Sequence, residues 1–218
     1  MLRVDLGLMK YSQAWSAQES AHAEVVAGGP ERVLMVEHPP VITFGRRGDT
    51  GGHLLASAEQ LRTLGVELVH SDRGGDITFH GPGQIVAYPI VRLADHRLSV
   101  GAYVHRLEAA VVELLGEWGI GATTDPSAVG VWVRHKNADA KICAIGVRIR
   151  KGVSLHGVAL NVNTDLSYFN LIVPCGLAAR PVTSLTELLG DRAATMASAR
   201  DGLFGHLARS IQPVTMPT

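Results

Sequence analysis

The chain has 218 residues and a mass of 23.2 kDa, which is enough for one large domain over residues 1–218. Hydrophobic residues make up 46% and aromatic residues only 5%, so aliphatic side chains must fill the core of a globular protein. The formal net charge is zero, which argues against nucleic-acid binding because such proteins usually carry a basic surface.

The compartment is suggested by the cysteines and by the apolar runs. Two cysteines, Cys143 and Cys175, are too few for a disulfide framework. The stretch 1–10 carries charges and lacks the apolar segment of a signal peptide, and no apolar run approaches the ~18 residues of a membrane-spanning helix. We therefore expect a cytoplasmic protein with no membrane partner and with reduced thiols that are available for chemistry.

The first part of the chain is predicted to alternate strands and helices. Gly28-Gly29-Pro30 is a strong helix stop, and Pro39 with Pro40 separates two short apolar runs as a turn. Ser57 and Gln60 have capping-box spacing. The predicted elements are a strand over 2–8, a helix over 11–27, strands over 33–36 and 41–44, a helix over 57–64 and a strand over 66–69.

Two polar loops in this part are candidates for binding. Gly45–Gly48 holds Arg46 and Arg47, which form either a solvated turn or a subsite for an anionic group. The run Arg73–Gln84 has four glycines and a proline in twelve residues, so turns shape its backbone. It is predicted to be a loop between two strands, and both an inert hairpin loop and a substrate site fit it.

The second part of the chain holds the clearest helix. Ser99 is its predicted cap, and an apolar stripe with helical spacing runs from Val100 to Trp118 before Gly119 ends it, which is typical of a core helix. Strands are predicted over 129–134, 141–150 and 153–162, and helical segments over 166–170, after the Ser184–Glu187 capping box, and over 196–211. Strands followed by helices predict an α+β or mixed α/β domain.

The strand over 141–150 alternates strongly. Lys141, Cys143, Ile145, Val147 and Ile149 are expected to share one face. Cys143 is therefore either a small buried hydrophobic residue or a nucleophile on the face of Lys141.

Pro174-Cys175-Gly176 is expected to display its thiol, because proline fixes the approach of the chain and glycine lets it turn away. A free thiol has a pKa of ~8.5, and a nearby ammonium lowers it. Lys141 is the best candidate for that ammonium, although most lysines are simply exposed.

Other uses of these residues are disfavoured by spacing. His70, His80 and His156 occur without the C-x-x-C, H-x-x-x-H or H-E-x-x-H patterns of zinc sites, so we expect no metal. The sequence also lacks G-x-x-x-x-G-K-[ST], so we expect no P-loop nucleotide site.

Three runs together resemble the octanoyltransferases of lipoate biosynthesis. They are Arg73–Gln84, Lys141–Arg148 and His156–Asn163, the last continuing through Asp165-Leu166 to Ile172–Gly176. In order and spacing these runs span roughly half the chain, from Arg73 to Gly176, and together they are far more specific than a single glycine-rich loop.

This resemblance implies an α/β domain similar to the catalytic domain of biotin and lipoate protein ligases, with a mixed β-sheet flanked by helices. It implies a dyad in which Cys175 carries the acyl group and Lys141 lowers the pKa of its thiol, with no ATP and no metal. It also implies three substrate-binding segments: Arg73, Gly74, Gly75, Asp76, Ile77, Thr78, Phe79 and His80; Ala144, Ile145 and Gly146; and Gly157, Val158 and Ala159.

The implied partners are octanoyl-acyl carrier protein as donor and, as acceptors, lipoyl domains of 2-oxoacid dehydrogenase E2 subunits and the glycine cleavage H protein. Backbone N–H groups near the glycine-rich loop or Ala144–Gly146 are candidates for an oxyanion hole. A basic group is a candidate for steering the acidic carrier protein: Arg46, Arg47, Arg148, Arg150 and Lys151.

The chain departs from the family pattern at two positions. Phe79 stands where tyrosine is common, which puts any role of that hydroxyl in doubt, and Cys143 stands where a small residue without a thiol is common. Two alternative functions remain open from the sequence: an ATP-dependent lipoate or biotin protein ligase, which would not need Cys175, and a non-catalytic acyl-binding protein.

Overall fold

The computed structural model describes residues 1–47, 52–173 and 180–212. The strands in these residues are β1 (Leu2–Leu8), β2 (Arg32–Glu37), β3 (Val41–Phe44), β4 (Glu67–His70), β5 (Ile77–His80), β6 (Gln84–Ile90), β7 (Ala122–Thr124), β8 (Gly130–His135), β9 (Ala138–Arg150) and β10 (Val153–Asn161). The helices are α1 (Tyr11–Val26), α2 (Ala58–Thr63), α3 (Val100–Glu117), α4 (Leu185–Leu189) and α5 (Met196–Ile211), with short 3-10 turns over Leu93–His96, Leu166–Leu171 and Gly190–Arg192.

A seven-stranded mixed sheet forms the centre of the fold, in the order β1-β2-β6-β10-β9-β8-β7. β1 and β2 run parallel, and the remaining neighbours are antiparallel. A second sheet of three strands has the order β4-β3-β5. The predicted mixed sheet flanked by helices is confirmed.

Helices cover both faces of the large sheet. Along β2, Val33 packs into one core with α3 and α5, whereas Leu34 packs into another core with α1, as the period of two in a strand requires. The apolar stripe of α3 is mostly buried from Tyr103 to Leu115, whereas Val100 at its start is exposed. Ser99 Oγ accepts a hydrogen bond from the Ala102 N–H at 3.2 Å, as the predicted cap requires. The predicted capping box of α2 is also present, with Ser57 and Gln60 bonded reciprocally.

The glycine-rich run is not a continuous loop, because β5 occupies Ile77–His80 and pairs with β3. Ile77 and Phe79 pack into an apolar cluster with Phe169. The Phe79 ring also stacks on Tyr168, with 4.8 Å between ring centroids. The apolar alternation of this strand is only four residues long, and the flanking glycines obscured it in the sequence.

A β-bulge in β9 changes which side chains share a face. Val131 pairs with Cys143 and Trp132 pairs with Lys141, so Ile142 is the extra residue. Ile142 and Cys143 are consecutive, yet both are fully buried in the core under α3, whereas Lys141 turns to the other side of the sheet. The predicted common face of Lys141 and Cys143 is therefore wrong, because one inserted residue reverses the alternation.

None of the helices in the described parts of the chain has the length and apolarity that crossing a bilayer requires.

Candidate active site

A cavity that is partly open to solvent lies over β9 and β10, under the turn that leads into β5. It brings together the three segments that the sequence pointed to, although they are far apart along the chain. The predicted residues that line it are Arg73, Gly74, Gly75, Asp76, Ile77, Thr78, His80, Lys141, Ala144, Ile145, Gly146, Gly157, Val158 and Ala159. Among the predicted residues that the structure describes, Phe79 does not line the cavity, because its ring points into the aromatic cluster on the other side of β5.

Glycine allows the turn at Gly74 to lie directly on β9. The Gly74 N–H donates to the Val147 carbonyl at 3.0 Å, and a Cβ on Gly146 would come within 2.8 Å of the Gly74 oxygen. Only a residue without a side chain fits at position 146 in this close approach of two backbones. Because the Gly74 amide is already engaged, it is not a free donor for an oxyanion hole.

Arg73 holds this turn in place. Its guanidinium donates to the Thr43 carbonyl at 2.6 Å, to the Thr43 hydroxyl at 2.9 and 3.0 Å, and to the Gly74 carbonyl at 3.1 Å. Since Arg73 is only 7% exposed, these bonds satisfy a buried cation and fix the turn to β3.

Lys141 is buried at one end of the cavity, with 7% of its surface exposed. Its ammonium donates to the Val129 carbonyl at 3.1 Å and lies 4.7 Å from the centroid of the Trp132 ring, within reach of a cation–π interaction. Gly130 has φ of +133°, and a Cβ there would come within 3.4 Å of the Lys141 Nζ. This lysine is therefore a packed component of the cavity and not a surface residue.

Cys175, with Pro174 and Gly176, lies outside the described residues. The described chain after this segment is tied to Lys141, whose N–H donates to the Pro181 carbonyl and whose carbonyl accepts from the Thr183 N–H, both at 2.9 Å. The described chain before it ends at Val173, whose N–H donates to the His53 carbonyl at 2.7 Å.

Four cavity residues were not predicted: Tyr11, Val86, Tyr88 and His156. The polar groups of the three rings among them form hydrogen bonds, since the Tyr11 hydroxyl lies 3.5 Å from His156 Nδ1 and the Tyr88 hydroxyl lies 2.9 Å from His38 Nε2. The result is a wall of rings at the end of the cavity away from Lys141. His156 was visible as the start of a matching run, but nothing in the sequence signalled its part in this wall.

The backbone at His156 is unusual. Its φ is +57°, a conformation that costs a non-glycine residue about 1–3 kcal/mol. The Gln18 side chain accepts from its N–H at 2.7 Å, and Asp72 lies 2.8 Å from its Nε2. These bonds hold the strained residue in place, and the hydrogen bond from His156 lowers the pKa of Asp72.

Two further histidines beside the cavity are buried and neutral. Burial lowers the pKa of His80 to about 3 and that of His38 to about 4, because a charged ring would lose its hydration. The His80 ring is held by Gln84, which in turn donates to Asn161 at 2.8 Å. His80 therefore orients neighbouring groups in its neutral form at physiological pH.

These two histidines make stability depend on pH. Their pKa values are depressed in the folded protein relative to about 6.5 in the unfolded chain, so their contribution is complete above pH 6.5 and is lost as the pH falls towards 4. We expect the free energy of unfolding to fall by about 1.4 kcal/mol per pH unit for each histidine in this range. Denaturant titrations at pH 7.5, 6.0 and 5.0 measure it.

The matched control is His80→Gln, which removes one of the two groups. We expect its stability to decline less steeply with acidification than that of the wild type, by about 1.4 kcal/mol per pH unit. An identical slope in the two proteins would contradict the assignment of His80 as a buried neutral histidine.

Cys143 is fully buried, and desolvation raises the pKa of its thiol to about 12. At neutral pH it is a protonated core residue, so the alternative in which it serves as the nucleophile is not supported.

Two of the predicted steering residues are already paired. Arg150 forms an ion pair with Glu19, and Arg148 lies 3.8 Å from Asp72. Arg46 and Arg47 are exposed at the end of β3. Within residues 1–47, 52–173 and 180–212, no group of three or more histidine, cysteine, aspartate or glutamate side chains could hold a metal ion.

The fold is that of the catalytic domains of lipoate and biotin protein ligases. A crystal structure of lipoate-protein ligase A bound with ATP superimposes with a TM-score of 0.78, covering 96% of this chain and 85% of that chain at 16% identity. A biotin protein ligase from Aquifex aeolicus superimposes with a TM-score of 0.52, covering 97% and 69% of the two chains at 10% identity. Identities this low establish the fold alone.

Sequence comparison shows which family within this fold class the chain belongs to. Residues 10–208 match the model of the lipoyl protein ligase A/B catalytic domain family. An octanoyltransferase of Roseiflexus sp. (strain RS-1) is 46% identical over 217 residues, which cover 98% of this chain and 89% of the relative. The chain belongs to the lipoyl protein ligase A/B catalytic domain family, among its octanoyltransferase members, and the resemblance seen in the sequence is confirmed.

Proposed function

We propose that the protein transfers an octanoyl group from octanoyl-acyl carrier protein to a lysine of lipoyl domains, through a thioester on Cys175 and without ATP or a metal. The observation that carries the proposal is the buried Lys141 ammonium at one end of a mostly apolar cavity, with the chain that follows Cys175 hydrogen-bonded to the Lys141 backbone. The acceptors are the lipoyl domains of 2-oxoacid dehydrogenase E2 subunits and the glycine cleavage H protein.

The length of the cavity supports an eight-carbon chain. From Ala159, which lies beside Lys141 in the cavity, β10 runs three residues to His156 in the wall of rings, a distance of roughly 10 Å at ~3.3 Å per residue. An extended chain advances ~1.2 Å per bond, so the seven bonds from the carbonyl carbon to the methyl of octanoyl span roughly 8 Å. The distance between the lysine and the wall is therefore at least as long as an extended octanoyl chain.

The chemistry proceeds in two balanced steps. The Cys175 thiolate attacks the carbonyl carbon of the octanoyl thioester, the pantetheine sulfur leaves and takes a proton, and an octanoyl-enzyme remains. The amine of the acceptor lysine then attacks this thioester, an amide forms, and the Cys175 thiolate leaves while the amine gives up its proton. The Lys141 ammonium stabilises the thiolate before the first step and after the second.

Transfer between thioesters and amide formation from a thioester need no nucleotide, and this separates the proposal from a ligase. Octanoyl-acyl carrier protein and a lipoyl domain, mixed with the protein in the absence of ATP, are expected to give a lipoyl domain heavier by one octanoyl group. Free octanoate with ATP and magnesium is expected to give none. Modification only from octanoate and ATP would identify a ligase, and modification under neither condition would identify a non-catalytic acyl-binding protein.

A further inference from the structure

Asp76 is a buried carboxylate in the cavity wall, and one of its oxygens accepts no hydrogen bond from the described residues. Asp76 is 8% exposed and lines the cavity. Its Oδ2 lies 2.7 Å from His53 Nδ1, whereas its Oδ1 is buried and has no hydrogen-bond partner in the described parts of the chain. A buried, unpaired carboxylate oxygen is unfavourable by itself, so such an atom at a cavity wall indicates that a donor completes it.

The Asp76–His53 pair is bonded to the chain that leads to Cys175. The His53 carbonyl accepts the N–H of Val173, the last described residue before Cys175. The His53 side chain keeps 31% of its surface exposed, so the pair extends from the cavity wall to solvent. A carboxylate on the cavity side and an imidazole on the solvent side can together bind a cation and carry its proton away.

The proposed reaction has a cationic substrate, the acceptor lysine. An acceptor lysine has an ordinary pKa of about 10.4, so it arrives as an ammonium and must lose a proton before it can attack a thioester. The donor substrate brings no such group. A carboxylate that serves the acceptor therefore acts in the second half of the reaction and not in the first.

We infer that Asp76 and His53 form the acceptor-lysine site, in which Asp76 binds the incoming ammonium and the pair takes up its proton. The inference rests on the proposed octanoyl transfer. The ammonium gives one proton to the pair, which releases it to solvent from His53. The nitrogen lone pair then forms the C–N bond, the C–S bond to Cys175 breaks with its electrons on sulfur, and the second proton of the attacking nitrogen leaves by the same route.

The test separates the two half-reactions in Asp76→Asn, which keeps the size of the side chain and removes its charge. Formation of the octanoyl adduct after mixing with octanoyl-acyl carrier protein is expected within about twofold of the wild-type rate. Decay of the isolated adduct on addition of a lipoyl domain is expected to be about 10²-fold slower or more, the usual contribution of a general base. Intact mass spectrometry of quenched samples follows both rates.

The pH dependence and a second variant distinguish a catalytic role from a structural one. The defect of Asp76→Asn in the second half-reaction is expected to shrink between pH 7 and pH 10, because the free amine becomes abundant without help. His53→Gln is expected to slow the same half-reaction about tenfold. It is the variant to measure if Asp76→Asn does not fold. Asp95→Asn, an exposed aspartate paired with Arg92, is the matched control and is expected to leave both rates unchanged.

Equal slowing of both half-reactions, or decay of the adduct at the wild-type rate in both variants, would overturn the inference and leave the octanoyl transfer intact. Failure of the wild type to form any adduct would overturn the octanoyl transfer itself, and the acceptor site with it.

Discussion

Replacing Cys175 by serine is expected to reduce octanoyl transfer by at least ~10³-fold, because a serine hydroxyl is almost never ionised near neutrality and the ammonium of Lys141 alone does not make it a nucleophile. The measurement is the initial rate at which a lipoyl domain gains one octanoyl group from octanoyl-acyl carrier protein. Binding of the donor is expected to survive, since the cavity that holds the acyl chain is unchanged.

Cys143→Ser is the matched control, since it makes the same chemical change at the other thiol. Cys143 is fully buried and its pKa is raised to about 12, so we expect transfer within a few-fold of wild type and some loss of stability from a hydroxyl in the core. Loss of transfer in Cys143→Ser together with full transfer in Cys175→Ser would reverse the assignment of the nucleophile.

Lys141→Met is expected to lower transfer by about 10²-fold and to raise the apparent pKa of the reactive thiol by one unit or more. Each unit corresponds to about 1.4 kcal/mol of thiolate stabilisation that the ammonium supplied. Methionine keeps much of the apolar stem that packs against Gly130 and Trp132, so the change mainly removes the charge. The rate of thiol alkylation by iodoacetamide from pH 5 to pH 10 gives the apparent pKa.

Lys136→Met is the control for this experiment, because its side chain is 77% exposed and lies 3.8 Å from Glu187 on the surface. We expect its alkylation profile to overlay that of the wild type. If the profile of Lys141→Met also overlaid the wild type, Lys141 would have no part in activating the thiol.

Much of the candidate site could be predicted because it depends on local sequence. Gly74 and Gly146 are required where two backbones approach closely, and both belong to the runs on which the family resemblance rests. The helix α3 could be placed because its cap at Ser99 and its apolar stripe are both local features. The three matching runs then supplied most of the cavity lining before any tertiary contact was known.

The remaining features depend on tertiary contacts. The bulge at Ile142 depends on how β8 and β9 pair, and no residue type in the sequence predicts it. Tyr11 reaches the cavity from the first turn of α1, and hydrogen bonds with Asp72 and Gln18 hold His156 at its positive φ. Asp76 was expected among the binding residues, but its pairing with His53 and its unused oxygen became visible only in the structure.

The central claim is that an acyl group passes through a thioester on Cys175. Its most direct test is the intact mass of the protein after incubation with octanoyl-acyl carrier protein, with no ATP and no acceptor. We predict an added octanoyl group that hydroxylamine removes, that maps to Cys175, and that is absent from Cys175→Ser. An adduct that persists in Cys175→Ser, or no adduct on a wild-type protein that still modifies lipoyl domains, would contradict it.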